Sequence, residues 1–338
     1  MPLRRVRFDP FMAHQTRMDS ASRPMGDEMQ AIRRYRDYNS YLRGLFGCRV
    51  QKISVDAGLS CPNRDGAIGT GGCGYCNERG SGTGAAQQGL SIREQLERGR
   101  TSLARRYRAR KFIAYFQSYS NTYGSLTVLQ ALYQEALGVA DVVGLSIGTR
   151  PDCVADEVLD YLAELSRDYL IWLEYGLQSA HDATLARINR GHTVSAFADA
   201  VQRTRSRNLP ICAHVILGLP GESRRDMMAT ARFLATQEIQ GVKIHLLYIV
   251  RGTMMERWYQ AGLLRCLEAE EYPSLVAEFL TCLPAEMVIQ RLTGDPHPAE
   301  LVAPKWALAK QQNLKAIHDY MDRHGLYQGK HVRPADAF

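Results

Sequence analysis

Short apolar runs alternate with segments of helical spacing along most of the chain. The apolar runs, rich in β-branched residues, cover 50–55, 112–116, 142–147, 169–175, 211–217 and 242–249. The segments of helical spacing cover 91–108, 125–138, 154–166, 194–207 and 223–237. Strands that alternate with helices predict right-handed βαβ units and a parallel sheet. About six such units match a partial, open (β/α)6 barrel better than a closed barrel of eight, and a doubly wound sheet is the alternative.

The two ends of the chain depart from this repeat. Residues 1–26 show no apolar periodicity and predict a flexible, basic arm. A helix over about 27–46, closed by Gly47, opens a core that we place at 27–250. The later pattern predicts helices at 253–262, 267–281 and 304–323 and a short strand at 286–291. We therefore expect residues 251–338 to form a C-terminal α/β extension that packs against the barrel.

Composition and charge narrow the class of protein. Hydrophobic residues make up 45% and charged residues 23% of the chain, which is ordinary for a soluble globular enzyme. No stretch approaches the ~20 apolar residues that a transmembrane helix needs, and the start MPLRRVRF lacks the apolar segment of a secretory signal. We therefore expect a cytoplasmic protein with no membrane partner. The net charge of +7 suits a polyanionic partner such as tRNA, or arginines that simply face solvent, as along 98–111.

The eight cysteines divide into a cluster and a scattered set. Five lie singly in apolar or helical contexts, where a free thiol behaves as a small core side chain; these are Cys48, Cys153, Cys212, Cys266 and Cys282. The other three, Cys61, Cys73 and Cys76, follow the first predicted strand in a glycine-rich loop at 56–80. In a reducing compartment, clustered thiols indicate metal binding.

The spacing C-x11-C-x2-C leaves two kinds of metal site open. Cys73 and Cys76 can chelate one centre, and the glycine-rich span lets Cys61 return to it. A structural zinc ion normally takes four protein ligands, so Cys48 would have to join them. The first strand would hold Cys48 at the opposite end from the loop. An iron–sulfur cluster with three thiolates and one open iron needs no fourth residue.

Several further segments match one family in order along the chain. They are RYRDYNSYLRGLFGCRVQKISVDAGLSCPNRDG (34–66), YFQSYSNTY (115–123), SIGTRPD (146–152), LEYGLQS (173–179), INRGHT (188–193), ILGLPGES (216–223), TGD (293–295) and APKW (303–306). With the cysteine loop, they resemble the radical S-adenosylmethionine (SAM) superfamily over about residues 34–325. The resemblance is strongest to the YhcC-like family, which is related to the radical SAM domain of the Elongator catalytic subunit. The commonest motif of the superfamily is C-x3-C-x2-C, and the longer first spacing is a trait of this branch.

The resemblance implies a set of cofactors and a reaction. Cys61, Cys73 and Cys76 would hold a [4Fe–4S] cluster whose fourth iron is open to SAM. An electron donor such as flavodoxin or ferredoxin would reduce the cluster and SAM would be cleaved. The resulting 5′-deoxyadenosyl radical would abstract hydrogen from a substrate, tRNA or a small metabolite. The resemblance assigns no catalytic residue on the substrate side. The competing hypothesis is a zinc-stabilised, basic nucleic-acid-binding protein without redox chemistry.

The resemblance also places SAM contacts at strand ends, where (β/α) barrels carry their chemistry. Gln178 and Arg190 match positions that contact the methionine end, and an arginine can form a bidentate pair with its carboxylate. Glu174, at the end of its strand, would be an acceptor for the amino or ribose groups. Ser118 and Ser120 follow the second strand, where the superfamily places a loop that receives the amino group. The usual Gly-Gly-Glu is missing there.

Adenine contacts are expected after the fifth and sixth strands. Gly218 and Leu219 belong to the turn GLPGE, whose glycines let the backbone come close to a flat ring. Leu247 and Tyr248 end the sixth strand and would pack on the same ring or form hydrogen bonds to it.

Other polar residues have both a functional and a structural interpretation. Arg150, after the third strand, lies at the level of the ribose, or forms a salt bridge with Asp152. His214 and His245 lie within strands and are interpreted as barrel histidines with their own partners rather than as ligands, although inward-facing ones would line the substrate pocket. Four residues of the extension are candidates for substrate contact or for ordinary packing: Asp295, His297, Lys305 and Trp306.

Overall fold

The computed structural model describes residues 34–80, 82 and 84–332 of the chain. The predicted arm at 1–26 lies outside the described residues, as do the first seven residues of the predicted helix at 27–46. Within the described part, the chain forms one sheet of seven strands, a two-stranded ribbon and ten α-helices.

Helix α1 begins later than the sequence pattern predicts. It covers Tyr38–Phe46, whereas residues 34–36 are not helical. Asp37 caps the helix by accepting a hydrogen bond from the backbone N–H of Ser40 at 2.9 Å, and Gly47 ends it in the left-handed region at φ 67°. The helix starts at this cap because the aspartate satisfies an N–H group that no helical carbonyl can reach.

All six predicted strands are present as parallel neighbours in sequence order. They are β1 (Val50–Val55), β2 (Lys111–Phe116), β3 (Val142–Thr149), β4 (Leu170–Gln178), β5 (Ile211–Leu217) and β6 (Gly241–Leu246). Three strand ends differ from the expectation by two residues or more. β3 continues to Thr149, β4 continues to Gln178, and β6 ends at Leu246 rather than at residue 249.

The helices that follow these strands pack against the sheet. They are α2 (Ile92–Tyr107), α3 (Leu126–Leu137), α4 (Asp156–Leu165), α5 (Asp182–Arg187), α6 (Val194–Arg205) and α7 (Arg224–Ala235). Ser91 and Ser223 each begin a helix with a capping box, in which Glu94 and Asp226 complete the reciprocal hydrogen bonds. The buried faces meet the strands in one large core of aliphatic and aromatic side chains. None of the helices described is both long enough and apolar enough to span a bilayer.

The extension contributes a strand to the sheet itself. Its elements are β7 (Ile249–Val250), α8 (Met254–Gln260), α9 (Glu271–Thr281), β8 (Val288–Arg291), β9 (Leu301–Ala303) and α10 (Lys310–Arg323). β8 pairs in parallel with β6, so the sheet order is β1-β2-β3-β4-β5-β6-β8. A strand was predicted here, at 286–291, but as part of the extension and not as a seventh strand of the barrel, because two helices separate it from the repeat. A domain boundary near residue 250 stays a prediction.

The sheet curls into a partial barrel that is open between its edge strands, β1 and β8. Two hydrogen bonds span the gap. Lys52 Nζ of β1 donates to Gln290 Oε1 of β8 at 2.7 Å, and Ile289 N donates to Arg36 O, just before α1, at 2.8 Å. The expected partial, open barrel with a C-terminal α/β extension is therefore confirmed as the fold class.

A bulge in β8 changes the direction of its last side chains. Val242 of β6 pairs with Ile289, but the next residue, Lys243, pairs with Arg291, so Gln290 is extra. Neighbouring residues of a regular strand face opposite sides of a sheet. Here the extra residue allows both Gln290 and Arg291 to face the barrel interior, as their contacts show.

Helix α1 closes the amino end of the barrel. Tyr38 and Tyr41 meet Trp172 of β4 edge-on, with ring centroids 6.1 and 5.8 Å away. Trp172 is fully buried. An apolar cluster fills the space around these rings: Leu42, Val50, Ile113, Leu170 and Cys212. The interior therefore opens toward the carboxyl ends of the strands, where (β/α) barrels carry their chemistry.

Candidate active site

A cavity of about 470 Å³ opens at the carboxyl ends of the strands. Strand ends, the cysteine loop and the extension all contribute to its wall. Cys61, Cys73 and Cys76 line it together. Ligand pockets commonly hold ~300–1,000 Å³, so the cavity has room for a cofactor beside the three thiols.

Hydrogen bonds hold the cysteine loop against the segment that follows α5. Gly74 N donates to Ile188 O at 2.8 Å. Asn63 is buried, and its Nδ2 donates to Asn189 O at 2.6 Å and lies 3.8 Å from Cys73 Sγ. The loop is thus anchored at two points on one neighbouring segment, close to the middle thiol.

The thiol of Cys73 lies against an arginine. Arg190 Nη1 is 3.3 Å from Cys73 Sγ. Burial alone would raise the pKa of this thiol, but the guanidinium groups of Arg190 and Arg150 and a hydrogen bond from Tyr75 hold it below its usual range. The thiolate, which is the metal-binding form of cysteine, is thereby favoured.

The donor set fits an iron–sulfur cluster. Cys61 and Cys73 are buried and Cys76 is half-buried around the same cavity. In the described part of the chain, no three His, Cys, Asp or Glu side chains come together as ligands of one metal ion. A [4Fe–4S] cluster spreads its thiolates over different irons, so they lie farther apart than the ligands of one ion. Cys48, the fourth ligand that structural zinc would need, precedes β1 at the other end of that strand.

Gly176 holds Arg190 in place. Arg190 is buried in the loop between α5 and α6, and its Nε and Nη2 donate to Gly176 O at 3.2 and 2.8 Å. A Cβ on Gly176 would lie 2.6 Å from both Arg190 Nη2 and Gln178 Nε2, so only glycine lets these two groups approach. Gln178 itself has φ 74°, a left-handed conformation that costs a non-glycine residue ~1–3 kcal/mol. Gln178 and Arg190, which the sequence motif pairs, therefore both lie against Gly176 at the cavity wall.

Arg150 forms the salt bridge that its structural interpretation predicts. Its Nε and Nη2 donate to the Asp152 carboxylate at 2.9 and 2.7 Å. Its Nη1 donates to Arg190 O at 2.6 Å. The Arg150 side chain is buried and also lines the cavity. It therefore stabilises the loop that carries Arg190, and a contact with the ribose stays a prediction.

Glu174 lies at the centre of β4. We had expected it at the end of the strand. Its Oε1 accepts from Lys52 Nζ at 2.5 Å and from Ser146 Oγ at 2.6 Å. Its Oε2 accepts from His214 Nε2 at 2.8 Å and from Lys243 Nζ. A carboxylate has about four acceptor positions, and the protein itself occupies all of them. The expected role as an acceptor for SAM therefore has no free oxygen position to serve it.

The pKa values of this buried group follow from burial opposed by charge. Burial alone would raise the pKa of Glu174, but Lys243, Lys52 and His214 hold it well below its usual range. Burial lowers the pKa of Lys52 to about 7, with Glu174 opposing the shift. Burial likewise lowers the pKa of His214 to about 4. Near neutral pH the group thus contains an ionised carboxylate and a neutral imidazole, with Lys52 and Lys243 as the lysine partners of the carboxylate.

Comparisons with known proteins identify the family. The family model "Radical SAM superfamily" matches residues 66–234, and the model "Radical_SAM C-terminal domain" matches residues 239–323. The chain is 40% identical over 298 residues to the uncharacterized protein YtqA of Bacillus subtilis (strain 168), across 88% of this chain and 92% of that relative. It is also 40% identical over 290 residues to protein YhcC of Escherichia coli (strain K12), across 86% and 93%. The chain belongs to the radical SAM superfamily.

A solved structure supports the same fold. Elp3 of the archaeon Methanocaldococcus infernus, with an N-terminal deletion (1–46), is similar at a TM-score of 0.64 and 16% sequence identity. The match covers 82% of this chain and 64% of the length of that one. Together with the YhcC relative, the comparisons confirm the resemblance to the YhcC-like family, and the chain is a radical SAM enzyme.

The loop after β2 brings one of its two predicted serines to the cavity of this radical SAM enzyme. Ser118 and Ser120 are both buried, and neither hydroxyl has a hydrogen-bond partner among the residues described. Ser120 lines the cavity, whereas Ser118 lies outside its wall, next to Gly82. A contact with the amino group of SAM stays a prediction for Ser120, and the structure does not bring Ser118 to that position.

Two of the four residues expected at the adenine line the cavity. Leu247 and Tyr248 do so, directly after β6. Gly218 and Leu219 instead border a separate depression beside α9. Ile216, two residues earlier in β5, lines the cavity in their place. Sequence reasoning missed Ile216 because an apolar strand residue carries no sign of the face on which it lies.

Both barrel histidines line the cavity, but only one has the partner that was expected. His214 is bonded to Glu174, whereas Nε2 of His245 is buried without a partner among the described residues. The two rings lie 5.3 Å apart. They therefore add neutral, polar surface to the inner wall of the cavity.

The four candidates of the extension divide into two pairs. Asp295 and His297 line the mouth of the cavity. Lys305 Nζ donates to Leu301 O at 2.9 Å, and Trp306 Nε1 donates to Leu267 O at 3.1 Å, so their hydrogen bonds serve packing within the extension. Only the first pair is placed for substrate contact.

Proposed function

We propose that Cys61, Cys73 and Cys76 hold a [4Fe–4S] cluster, and that the protein uses it with SAM to abstract hydrogen from a substrate. When bound, the cluster and SAM supply a 5′-deoxyadenosyl radical, with methionine as the other product. The observation that carries the proposal is the convergence of the three thiols and Arg190 on one cavity. The chain's membership of the superfamily supports it.

Arg190 retains donors for the carboxylate of SAM. A guanidinium carries five N–H donors. Nε and Nη2 serve Gly176 O, and Nη1 faces Cys73 Sγ, which leaves one N–H on each terminal nitrogen. Such a pair suits bidentate binding of a carboxylate, and Gln178 Nε2 lies beside it. Arg150 and Gly176 keep the guanidinium from turning away.

The inner end of the barrel protects a reactive species from water. Tyr38, Tyr41 and Trp172 close the amino end, and Ile216 and Leu247 give part of the wall apolar surface. Exclusion of water prevents side reactions of reactive intermediates. The chain itself therefore contributes a chamber that is closed at its inner end.

Two partners follow from the proposed reaction. An electron donor such as flavodoxin or ferredoxin would supply the electron. Such a donor can approach the cysteine loop, because the half-buried Cys76 and the exposed Ile68 place one side of this loop at the surface. The second partner is the substrate, for which tRNA and a small metabolite are the two classes considered. The net charge of +7 is compatible with both.

Iron content and product analysis test the proposal. After anaerobic reconstitution we expect about four irons and four sulfides per chain. The reduced protein should cleave SAM slowly to methionine and 5′-deoxyadenosine, rather than form the S-adenosylhomocysteine of polar methyl transfer. Replacing Cys61, Cys73 and Cys76 together by Ala should abolish both the iron and the cleavage. The matched control Cys48→Ala should retain both.

A triple variant that keeps a full cluster would show that the ligands are misassigned. If the purified protein is colourless and holds zinc that Cys48→Ala releases, the zinc-stabilised nucleic-acid-binding hypothesis replaces the proposal. Zinc has no redox chemistry and takes four protein ligands in structural sites, so the two outcomes are clearly separated.

A further inference from the structure

Every carboxylate that lines the cavity has a cationic partner. The pairs are Glu174 with Lys52 and Lys243, Asp295 with Lys310, and Glu300 with Arg79. Three of the arginines in the wall also have hydrogen-bonded partners: Arg64, Arg150 and Arg190. The charges of the wall are therefore largely balanced within the protein.

Arg291, the last residue of β8, is the exception. It lines the cavity, but its side chain has no hydrogen bond or ion pair with another described residue. Its electrostatic neighbours are Tyr115, His245 and Tyr248. All three are neutral near pH 7, because burial raises the pKa of each tyrosine and lowers that of the histidine. A guanidinium without a counter-charge at a cavity wall is suited to bind an anion.

Two buried nitrogen atoms near Arg291 also have no partner. Nε2 of His245 and Nε2 of Gln290 are buried and make no hydrogen bond within the described part of the chain. Buried polar atoms of native proteins are nearly always bonded to protein, water or ligand. The bulge in β8 directs Gln290 inward beside Arg291, and His245 lies two residues beyond Lys243 on the same face of β6. Arg291 and His245 line the cavity together, whereas Gln290 faces inward beside Arg291 and contacts Lys52.

We infer that Arg291 and His245 form a subsite for the anionic end of a small substrate, a carboxylate or a phosphate monoester. The planar guanidinium matches either group with two parallel hydrogen bonds. His245 Nε2, which is buried without a partner among the described residues, offers a second polar atom to the same group. The inference rests on the proposed function for the reaction that follows, but not for the binding itself.

The shape of the barrel limits what can reach this subsite. Arg291 lies level with Lys243, which contacts Glu174 in the middle of the barrel. Below that level the rings of α1 and Trp172 close the barrel. A phosphodiester linkage at Arg291 would require its backbone to enter and leave a cavity of about 470 Å³ with a closed end. The geometry therefore favours a terminal acidic group, as on a small metabolite, over an internal phosphate of an RNA chain.

Binding of two simple anions tests the subsite. Inorganic phosphate and acetate are titrated separately into the wild-type protein, with and without the reconstituted cluster, by isothermal titration calorimetry. At least one anion should bind with a stoichiometry of one in both forms. Arg291→Gln should weaken this binding by about tenfold or more, because a hydrogen-bonded charge is lost. The matched control Arg257→Gln, an exposed arginine of α8 outside the cavity, should bind as the wild type does.

The comparison of the two anions distinguishes a carboxylate substrate from a phosphate substrate. If Arg291→Gln does not fold, Arg291→Lys decides, since loss of the planar fork should still weaken binding severalfold. The inference is overturned if neither anion binds the wild type, or if the Arg291 variant that folds binds as the wild type does. Displacement of the anion by S-adenosylhomocysteine would assign Arg291 to the cofactor site, and displacement by tRNA would assign it to RNA. Both results contradict a small-substrate subsite.

The two proposals fail in different ways. Anion binding that depends on Arg291, in a protein that never cleaves SAM, would leave the subsite standing and remove the proposed function. SAM cleavage without anion binding would retain the proposed function and remove the subsite. Anion binding measured in the protein without its cluster separates the two proposals, because that binding does not require SAM cleavage.

Discussion

Charge is balanced differently in two regions of the cavity. The mouth is the part with the three thiols and Arg190, and the floor is the buried group of Glu174, Lys52 and Lys243. At the mouth, loops bring thiols next to Arg190 and Arg64, and backbone carbonyls supply most of the hydrogen bonds that position these arginines. At the floor, strands hold the carboxylate of Glu174 between Lys52 and Lys243. The floor therefore completes its main charge balance when the sheet forms. The mouth has cations that face thiols, an arrangement that suits a bound cofactor.

The largest expected effect concerns the floor. Glu174→Gln would leave Lys52 and Lys243 buried without their carboxylate, and removing one partner of a buried ion pair costs ~3–5 kcal/mol. Denaturant titration should show a fall of this size in the free energy of unfolding. Glu164→Gln, at an exposed position of α4, should change it by less than ~0.5 kcal/mol. An unchanged value for Glu174→Gln would show that the floor does not rely on this charge.

The same carboxylate should set the acid limit of stability. Its pKa in the folded protein lies below the unfolded value of about 4.3. The stabilisation is therefore full above pH ~4.3 and is lost as the pH falls toward the folded pKa. Denaturation midpoints measured between about pH 3 and pH 6 should fall less steeply on acidification for Glu174→Gln than for the wild type. Parallel curves would contradict the assignment of this titration to Glu174.

An intermediate effect is expected at the mouth. Arg190→Ala should weaken SAM binding ~10- to 150-fold, because a charge-assisted pair worth ~1.5–3 kcal/mol is lost. Arg190→Lys should rescue only part of the affinity, since an ammonium lacks the planar fork. Equilibrium binding of SAM, with iron measured in parallel, checks this. Iron should remain, because Arg190 supplies none of the three thiolates, and wild-type affinity in Arg190→Ala would refute its role.

A smaller effect on SAM affinity is expected from Gly176→Ala. The new Cβ would lie 2.6 Å from Arg190 Nη2 and from Gln178 Nε2, so both groups must shift although neither is replaced. Affinity should fall about tenfold, or ~1.4 kcal/mol. Gly44→Ala in α1, where nothing lies within 4 Å of the added carbon, is the control. Equal affinities in the two variants would mean that the position of the guanidinium does not limit binding.

The smallest effect on iron should come from cysteines outside the mouth. Replacing Cys153, Cys212, Cys266 and Cys282 together by Ala should leave the iron content of the reconstituted protein unchanged. Each buried site should cost roughly 1–2 kcal/mol of stability, so iron is counted per folded chain. A loss of about half the iron would reveal a second cluster.

Much of the mouth could be predicted because its chemistry is contiguous in the sequence. Cys61, Cys73 and Cys76 lie within one loop, and Gln178 and Arg190 lie within one short segment. The strand–helix alternation is equally local, so the six regular strands were found. In contrast, Gly176 and Asn63 were missed, because their roles depend on side chains brought close only by the folded loops.

The floor could not be predicted in the same way. Lys52, Glu174 and Lys243 belong to three strands that are far apart in the sequence, and each alone resembles an ordinary polar residue in an apolar run. Their meeting requires the sheet to curl until β1, β4 and β6 face one another. The strand β8 was predicted, but its place in the barrel was not, since two helices separate it from the repeat and only the pairing with β6 reveals that place.

The bulge at Gln290 has a consequence for how an enzyme of this design can diversify. The cysteine loop follows β1, whereas the bulge is in β8 at the other edge of the sheet. Inserting or deleting one residue in β8 would change which side chains face inward there, without altering the thiols or Arg190. Under the proposed function and subsite, the choice of substrate would depend on β8 and the generation of the radical on the cysteine loop, which are separate stretches of the chain. Natural selection or protein engineering can therefore vary the inward-facing residues of β8 while the cysteine loop is kept.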